Sequence, residues 1–255
     1  NIKSEYTDRR VRSIALLSFK ESFVYNNIEE AMLGLDVWKR HRKVSIAPLA
    51  KNLAYKPTFD TDIYREAAFY RFIELTESTY SLYESNLLIG AITTARAAYE
   101  TLAVLWFINT KLEHLTKTKD ISHFLEITHR LMLGWSNDEE FPEKINVLKC
   151  ADAVDKVFEG RFRRHYEMLC EYAHPNNSGT FGSYADPNHS TLEVKFGSYP
   201  RNKETLKKNI QSTVVISMEM LNHVQQDYEK IINEALDTCQ ELHEQGKLKD
   251  AYNET

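Results

Sequence analysis

Helix-breaking residues are concentrated in one short segment of this chain. Its 255 residues include 8 Gly and 6 Pro, and six of these fourteen lie between Pro175 and Pro200. Because Gly and Pro are the residues least favourable in a helix interior, the rest of the chain predicts long helices. The scarcity of turn residues also argues against a sandwich or barrel of many short strands.

Apolar and capping residues predict one all-α domain, a helical bundle, over residues 1–255, since no linker or repeat divides the chain. The first helix is expected to begin after Thr7 or Asp8 and to end in the cationic run at residues 39–43. Asp60 or Thr61 is expected to cap the second helix, after a connection with Pro48 and Pro57. The helices after the first are predicted at 60–83, 87–108, 121–133 (followed by Gly134), 143–159 (opened by Pro142) and 161–173.

The spacing of apolar residues changes between Phe181 and Phe196. The segment TLEVKF (191–196) alternates apolar and polar residues, which is typical of a strand. We expect it to pair with FGSY (181–184) across a loop that contains ADPNHS (185–190). The sequence therefore predicts a small β-hairpin insertion near residues 180–197.

A long C-terminal helix is predicted at residues 203–245. Its apolar positions shift to a three-four alternation, which keeps one seam facing a partner helix. About forty residues rise roughly 60 Å, which is long for a chain of this size. We therefore expect part of this helix to pack on a second chain and to form a homodimer. The seam positions are Leu206, Ile210, Val214, Met218, Leu221, Tyr228, Ile232, Ala235, Cys239 and Leu242.

Composition predicts a soluble, cytoplasmic protein without a metal or cofactor. Lys and Arg number 32 against 37 Asp and Glu, so the formal net charge is −5, which argues against strong non-specific nucleic-acid binding. Three widely spaced cysteines, Cys150, Cys170 and Cys239, are expected to be reduced thiols outside any zinc site. Residues 87–108 are long enough to cross a bilayer. Arg96 and Glu100 at their middle argue instead for a central bundle helix.

Arg96 and Glu100 are the first candidate site residues. They are four positions apart, so their side chains are expected to meet on one helix face. Both flanks are apolar, and a partly buried charge is costly unless it is paired. The pair is interpreted either as a structural ion pair that fixes the helix or as part of a functional pocket.

The second candidate segment is RFRRHYEMLCEYAHPNN, residues 161–177. Arg163, Glu167, Glu171 and His174 share a polar face of the predicted helix. His174 lies at its end, before Pro175, where the helix dipole favours a charged imidazole. A histidine that only caps the helix is the alternative interpretation.

Together these elements, A-R-A-A-Y-E followed by Y-x-x-L-C-x-Y-A-H-P, resemble the HEPN-like helical superfamily over residues 87–177. The resemblance is to its uncharacterised bacterial branch with R-x-x-x-E and Y-x-x-L-x-x-x-x-H-P elements. It implies a helical bundle, usually a dimer. Many members are metal-independent ribonucleases of toxin–antitoxin, abortive-infection or CRISPR systems, and others only bind. The residues that match the elements are Arg96, Glu100, Tyr166, Tyr172 and His174.

The leading hypothesis is an HEPN-like effector acting on RNA in a bacterial stress or anti-phage system. His174 would be the base or acid, Arg96 the phosphate clamp and Glu100 the orienting group, because metal-free RNA cleavage needs a proton carrier and a cation. Tyr166, Tyr172, Asn176 and Arg163 are the predicted substrate-binding residues. The superfamily's nuclease signature, an Arg separated from a following His by four to six residues on one helix, is absent from the sequence.

Two alternatives remain open at this point. In the first alternative, the chain is a non-catalytic HEPN-like dimeric module that binds a protein or small ligand between Arg96 and His174. In the second, it is a helical assembly subunit whose function resides in the C-terminal helix.

Overall fold

The computed structural model describes residues 24–49, 51–136 and 140–254. It confirms an all-α bundle with one two-stranded antiparallel hairpin and a long C-terminal helix. The helices are α1 (Ile28–Arg40), α2 (Lys56–Glu84), α3 (Leu88–Thr118), α4 (Ile121–Leu133), α5 (Val147–Phe158), α6 (Arg161–Ala173), α7 (Phe181–Tyr184), α8 (Lys203–Glu244) and α9 (Lys247–Glu254). The strands are β1 (Ala185–Asn188) and β2 (Glu193–Phe196), and a 3₁₀ turn, Leu53–Tyr55, precedes α2.

The apolar helix α3 is the centre of the bundle and packs against α2, α5, α6 and α8. It extends about ten residues beyond the predicted end at 108, because Leu112 and Leu115 continue the buried stripe of Ile108. Lys119, with φ 61°, ends it in the left-handed conformation. By length and composition α3 is apolar enough to cross a membrane, and 56% of its most hydropathic window is buried inside the protein.

The seam of α8 is buried within this chain. All ten predicted seam residues are buried. Helix α8 packs against α1, α2, α3, the last helix α9 and the 3₁₀ turn Leu53–Tyr55. A helix of 42 residues is covered because two hydrophobic cores follow one another along α3 and α8. After Gly246, whose φ is +77°, α9 packs against α8 and was not predicted. The predicted homodimer would therefore have to use a surface other than this seam.

The first two helices differ from the prediction. Helix α1 begins at Ile28, because the Asn27 side chain accepts the Glu30 N–H at 2.8 Å and residues 24–27 are not helical. The expected start at Thr7 or Asp8 lies outside the described residues. Helix α2 begins at Lys56 with Pro57 in its first turn. Proline lacks only an N–H that is unpaired there in any case, so Pro57 lies in the helix and not in the connection.

The fifth helix also begins later than predicted. Asn146, not Pro142, caps it: its side chain accepts the Leu148 N–H at 2.9 Å. Gly134 ends α4 as expected, but with φ −60°. Glycine fits there because a Cβ would lie 2.2 Å from the Arg130 carbonyl oxygen.

The hairpin exists, with a different first strand. FGSY forms the single helical turn α7, and Ala185–Asn188 pairs with Glu193–Phe196, so that Ala185 faces Phe196 and Asn188 faces Glu193. The Asn188 side chain accepts the N–H groups of Ser190 and Thr191 at 2.9 and 3.2 Å. These bonds close the turn within residues 188–191, so four of the six residues of the expected loop are strand.

Candidate functional site

Arg96 and Glu100 meet on the face of α3 as their spacing predicted. The Arg96 Nε–H donates to Glu100 Oε1 at 3.0 Å, and each side chain remains about one quarter exposed (25% and 24%). An i, i+4 ion pair on a fully solvated helix contributes little to stability. This pair lies at the partly buried junction of α3 with α6, where a second helix completes it.

Tyr166 of α6 completes what we call the Arg96 cluster (Arg96, Glu100, Tyr166). Its hydroxyl donates to the same Glu100 Oε1 at 2.9 Å, and Arg96 Nη2 donates to the tyrosine oxygen at 3.4 Å. The guanidinium carbon lies 5.6 Å from the centre of the Tyr166 ring. The three side chains thus form a closed set of contacts between two helices.

Protonation of the cluster is fixed by its surroundings. Burial, followed by the hydrogen bond to Glu100, raises the pKa of Tyr166 to about 12. Burial lowers the pKa of Arg96, but the hydrogen bond with Tyr166 and the charge of Glu100 outweigh it, and the net pKa is raised. Near neutral pH the tyrosine is therefore a hydrogen-bond donor and the arginine a cation.

Part of the cluster's hydrogen-bonding capacity is unused. An arginine carries five N–H donors and a carboxylate can accept at both oxygens. Within the described part of the chain, Arg96 Nη1 and Glu100 Oε2 have no hydrogen-bond partner. The site therefore offers a ligand both a donor and an acceptor on a pair whose charges compensate each other.

An aromatic stack positions the cluster. Tyr99, next to Glu100, stacks on Phe162 of α6 with ring centres 4.1 Å apart and planes 9° from parallel. His165 lies 5.3 Å from the Tyr99 ring, and its Nε2 is 2.8 Å from Thr213 Oγ1 on α8. Because Thr213 donates its own proton to Asn209 O at 2.7 Å, the histidine Nε2–H is the donor.

The half-buried His165 predicts a loss of stability in acid. Burial lowers its pKa from 6.5, so as pH falls below 6.5 the unfolded chain takes up the proton first and the free energy of unfolding falls. The loss ends once pH passes below the folded-state pKa. Urea unfolding above and below pH 6.5 measures it.

His165→Gln keeps a donor for Thr213 and should show a smaller loss of stability between the two pH values. His223→Gln, at an exposed position of α8, is the matched control and should behave as the wild type. Equal losses in the wild type and His165→Gln would contradict the assignment.

His174 lies apart from the cluster. It ends α6, is exposed, and its backbone N–H bonds to Cys170 O at 3.0 Å. Eight residues separate it from Tyr166, about 12 Å along a helix axis. Its ring has no hydrogen-bond partner among the residues that the structure describes. The structure therefore does not bring His174 into contact with Arg96.

Tyr172 lies in the last turn of α6, and Asn176 lies in the chain turn that follows the helix. The Tyr172 hydroxyl is 3.5 Å from Asn202 Nδ2, before α8. Asn176 donates to Glu171 at 2.9 Å and accepts the Gly179 N–H at 3.0 Å. Both contacts of Asn176 shape the turn.

Arg163 is held by acidic neighbours at the other end of α6. Its Nε donates to Glu167 and its Nη1 to Asp152, both at 3.0 Å. The hydrogen bond to Glu167, followed by the charges of Asp152 and Glu167, raises the pKa of Arg163. A phosphate would have to compete with two carboxylates for this guanidinium.

Sequence reasoning missed a buried polar set that we call the Arg65 network. Arg65, only 4% exposed, donates from Nη1 to Leu105 O at 3.1 Å and Asn109 Oδ1 at 2.9 Å, and from Nη2 to Gln225 Oε1 at 3.2 Å. Its guanidinium lies 3.7 Å from the centre of the Tyr228 ring, and the Tyr228 hydroxyl donates to Asp62. The network comprises Asp62, Arg65, Asn109, Gln225 and Tyr228.

The sequence did contain a signal for this network. Asp62, Arg65, Phe69 and Phe72 follow one another at spacings of three, four and three, which places both charges on the buried stripe of α2. A charge pair on an apolar stripe indicates buried partners on other helices.

A separate small cleft of about 10 Å³, enough for about one water molecule, lies between α2, α3 and α4. Apolar side chains and the cation Lys111 line it, with Lys111 Nζ 3.3 Å from His123 Nε2. No cluster of three or more His, Cys, Asp or Glu able to hold a metal ion occurs within residues 24–49, 51–136 and 140–254.

No protein-family model, curated protein or solved structure matches this chain. The interpretation of the site therefore depends on its own geometry.

Proposed function

We propose that the protein is a non-catalytic HEPN-like binding module whose Arg96 cluster recognises an amide-bearing ligand, such as a segment of a partner protein. The observation that carries this proposal is the compensated charge of Arg96, with Nη1 and the neighbouring Glu100 Oε2 left unused. An amide presents an acceptor and a donor together and brings no net charge. A phosphodiester group offers only acceptors, and its negative charge would meet the Glu100 carboxylate.

Titrations followed by NMR at the Arg96 side-chain N–H signals test this preference. Acetamide, acetate and inorganic phosphate are added separately to the full chain. We expect acetamide to shift the Arg96 signals at lower concentration than phosphate. Glu100→Gln removes the compensating charge and should reverse the order, because a partly desolvated, uncompensated arginine favours anions.

Arg71→Lys is the control for these titrations, since Arg71 is exposed on α2 and lies outside the cluster. It should leave the response of Arg96 unchanged. Tighter phosphate than acetamide binding by the wild type would overturn the amide proposal.

A second candidate is a metal-independent endoribonuclease of a bacterial stress or anti-phage system. One observation favours it: the His174 ring is exposed and without a hydrogen-bond partner in the described chain, on the helix that carries Tyr166. An exposed imidazole can act as a general acid or base. Arg96 would then bind a phosphate at some distance from the cleaved bond.

Cleavage of total RNA and of a tRNA panel in EDTA separates the two candidates. His174→Ala and Arg96→Ala are compared with His223→Ala, which removes another exposed histidine. Cleavage by the wild type and His223→Ala alone would support the ribonuclease and overturn the non-catalytic module. Absence of cleavage by folded wild-type protein would exclude the ribonuclease.

A further inference from the structure

The hairpin presents an unpaired strand edge. All four residues of β2 are exposed, and β1 lies along one side of it only. Three apolar side chains at this strand remain open to solvent: Leu192 is 87% exposed, Val194 39% and Phe196 76%. An exposed apolar edge strand is a template for pairing with another strand.

The ladder within the hairpin determines which backbone groups of β2 point outward. Gly197 N–H donates to Tyr184 O at 3.0 Å, which makes these two a hydrogen-bonded pair. Since such pairs alternate in an antiparallel ladder, the next inward-bonded residues of β2 are Lys195 and Glu193. The N–H and C=O groups of Val194 and Phe196 therefore face the free edge.

The side chains of β2 are complementary to their own reversed order. Residues 193–195 read acidic, apolar, basic (Glu193, Val194, Lys195). Asp186 lies opposite Lys195 in the ladder, but its carboxylate forms an ion pair with Arg201, with Oδ1 2.7 Å from Nη2. Glu193 and Lys195 have no ion-pair partner among the described residues.

We propose that β2 pairs antiparallel with β2 of a second copy of this chain, about a two-fold axis at Val194. In this register Glu193 faces Lys195 of the partner subunit, and Lys195 faces the partner's Glu193. Val194 meets the partner's Val194 as a hydrogen-bonded pair. Leu192, with a left-handed φ of 58°, lies in the turn before the strand, so the paired segment is residues 193–195. The result is a four-stranded sheet in which the Glu193–Lys195 pair occurs twice, as two-fold symmetry requires, and the Val194 contact occurs once, on the axis.

Charge reversal tests the register, with sedimentation velocity across a concentration series as the readout. Glu193→Lys alone places Lys opposite Lys twice, and Lys195→Glu alone places Glu opposite Glu twice. Each should weaken self-association by about tenfold. The double variant Glu193→Lys/Lys195→Glu and an equimolar mixture of the two single variants should both regain the wild-type association.

Lys149→Glu, an exposed charge reversal on α5, is the matched control and should associate as the wild type does. Circular dichroism confirms that each variant is folded. A wild type that stays monomeric throughout the series overturns the proposal. A dimer that is unaffected by the single reversals also overturns it, and would place the interface elsewhere.

Discussion

Replacing Arg65 with methionine is expected to lower the free energy of unfolding by about 3–5 kcal/mol. The change removes three hydrogen bonds and the ring contact with Tyr228. It also leaves the acceptors Leu105 O and Asn109 Oδ1 and the nearby Asp62 carboxylate in an apolar interior without the cation. A buried acceptor that loses its donor costs its desolvation energy in full.

Urea unfolding of Arg65→Met beside Arg71→Met measures the effect. Arg71 lies on the same helix, is exposed, and makes one hydrogen bond, to Thr101 at 3.2 Å. Its replacement should change stability by about 0.5 kcal/mol or less. Similar values for the two variants would show that the Arg65 network contributes no more than a surface arginine.

The second large effect is expected from Phe162→Ala. Phe162 is buried and stacks on Tyr99 at 4.1 Å. Truncating it opens a cavity between α3 and α6, at an expected cost of about 3–5 kcal/mol. Because Phe162 lies one turn before Tyr166, the variant should also loosen the Arg96 cluster. Thermal unfolding and the Arg96 side-chain NMR signals report the two effects.

Phe162→Leu is the matched control, since it keeps most of the apolar volume and removes only the ring stack. Its expected cost is about 1 kcal/mol. If Phe162→Ala unfolds at the same temperature as Phe162→Leu, packing at the α3–α6 contact is not what stabilises the cluster. If Phe162→Ala is destabilised but its Arg96 signals do not change, the aromatic stack stabilises the protein without positioning the Arg96 cluster.

Local signals explain which parts of the fold could be predicted. The bounds of α4 and α6 are confirmed, because Gly134, Gly160 and Pro175 mark their ends. The start of α5 was wrong because Pro142 can precede a helix without beginning one. There the deciding contact is the Asn146 side chain on a backbone N–H, and the sequence did not distinguish between these two helix starts.

Local signals likewise explain which part of the candidate site could be predicted. The meeting of Arg96 and Glu100 follows from a spacing of four within one helix. The hydroxyl contact of Tyr166 depends on how α6 packs against α3, which spacing along the chain does not specify. The Arg65 network joins three helices, and hydropathy alone counts its polar members as surface residues.

The place of the Arg65 network along the bundle has a consequence for how the helices align. It lies where one hydrophobic core gives way to the next, near Leu105 on α3 and Val224 on α8. Apolar seams tolerate sliding, because one leucine can replace another in a contact. If α8 moved by one turn relative to α2, Gln225 and Tyr228 would lose their contacts with Arg65. This polar layer therefore sets the register of a helix about 63 Å long.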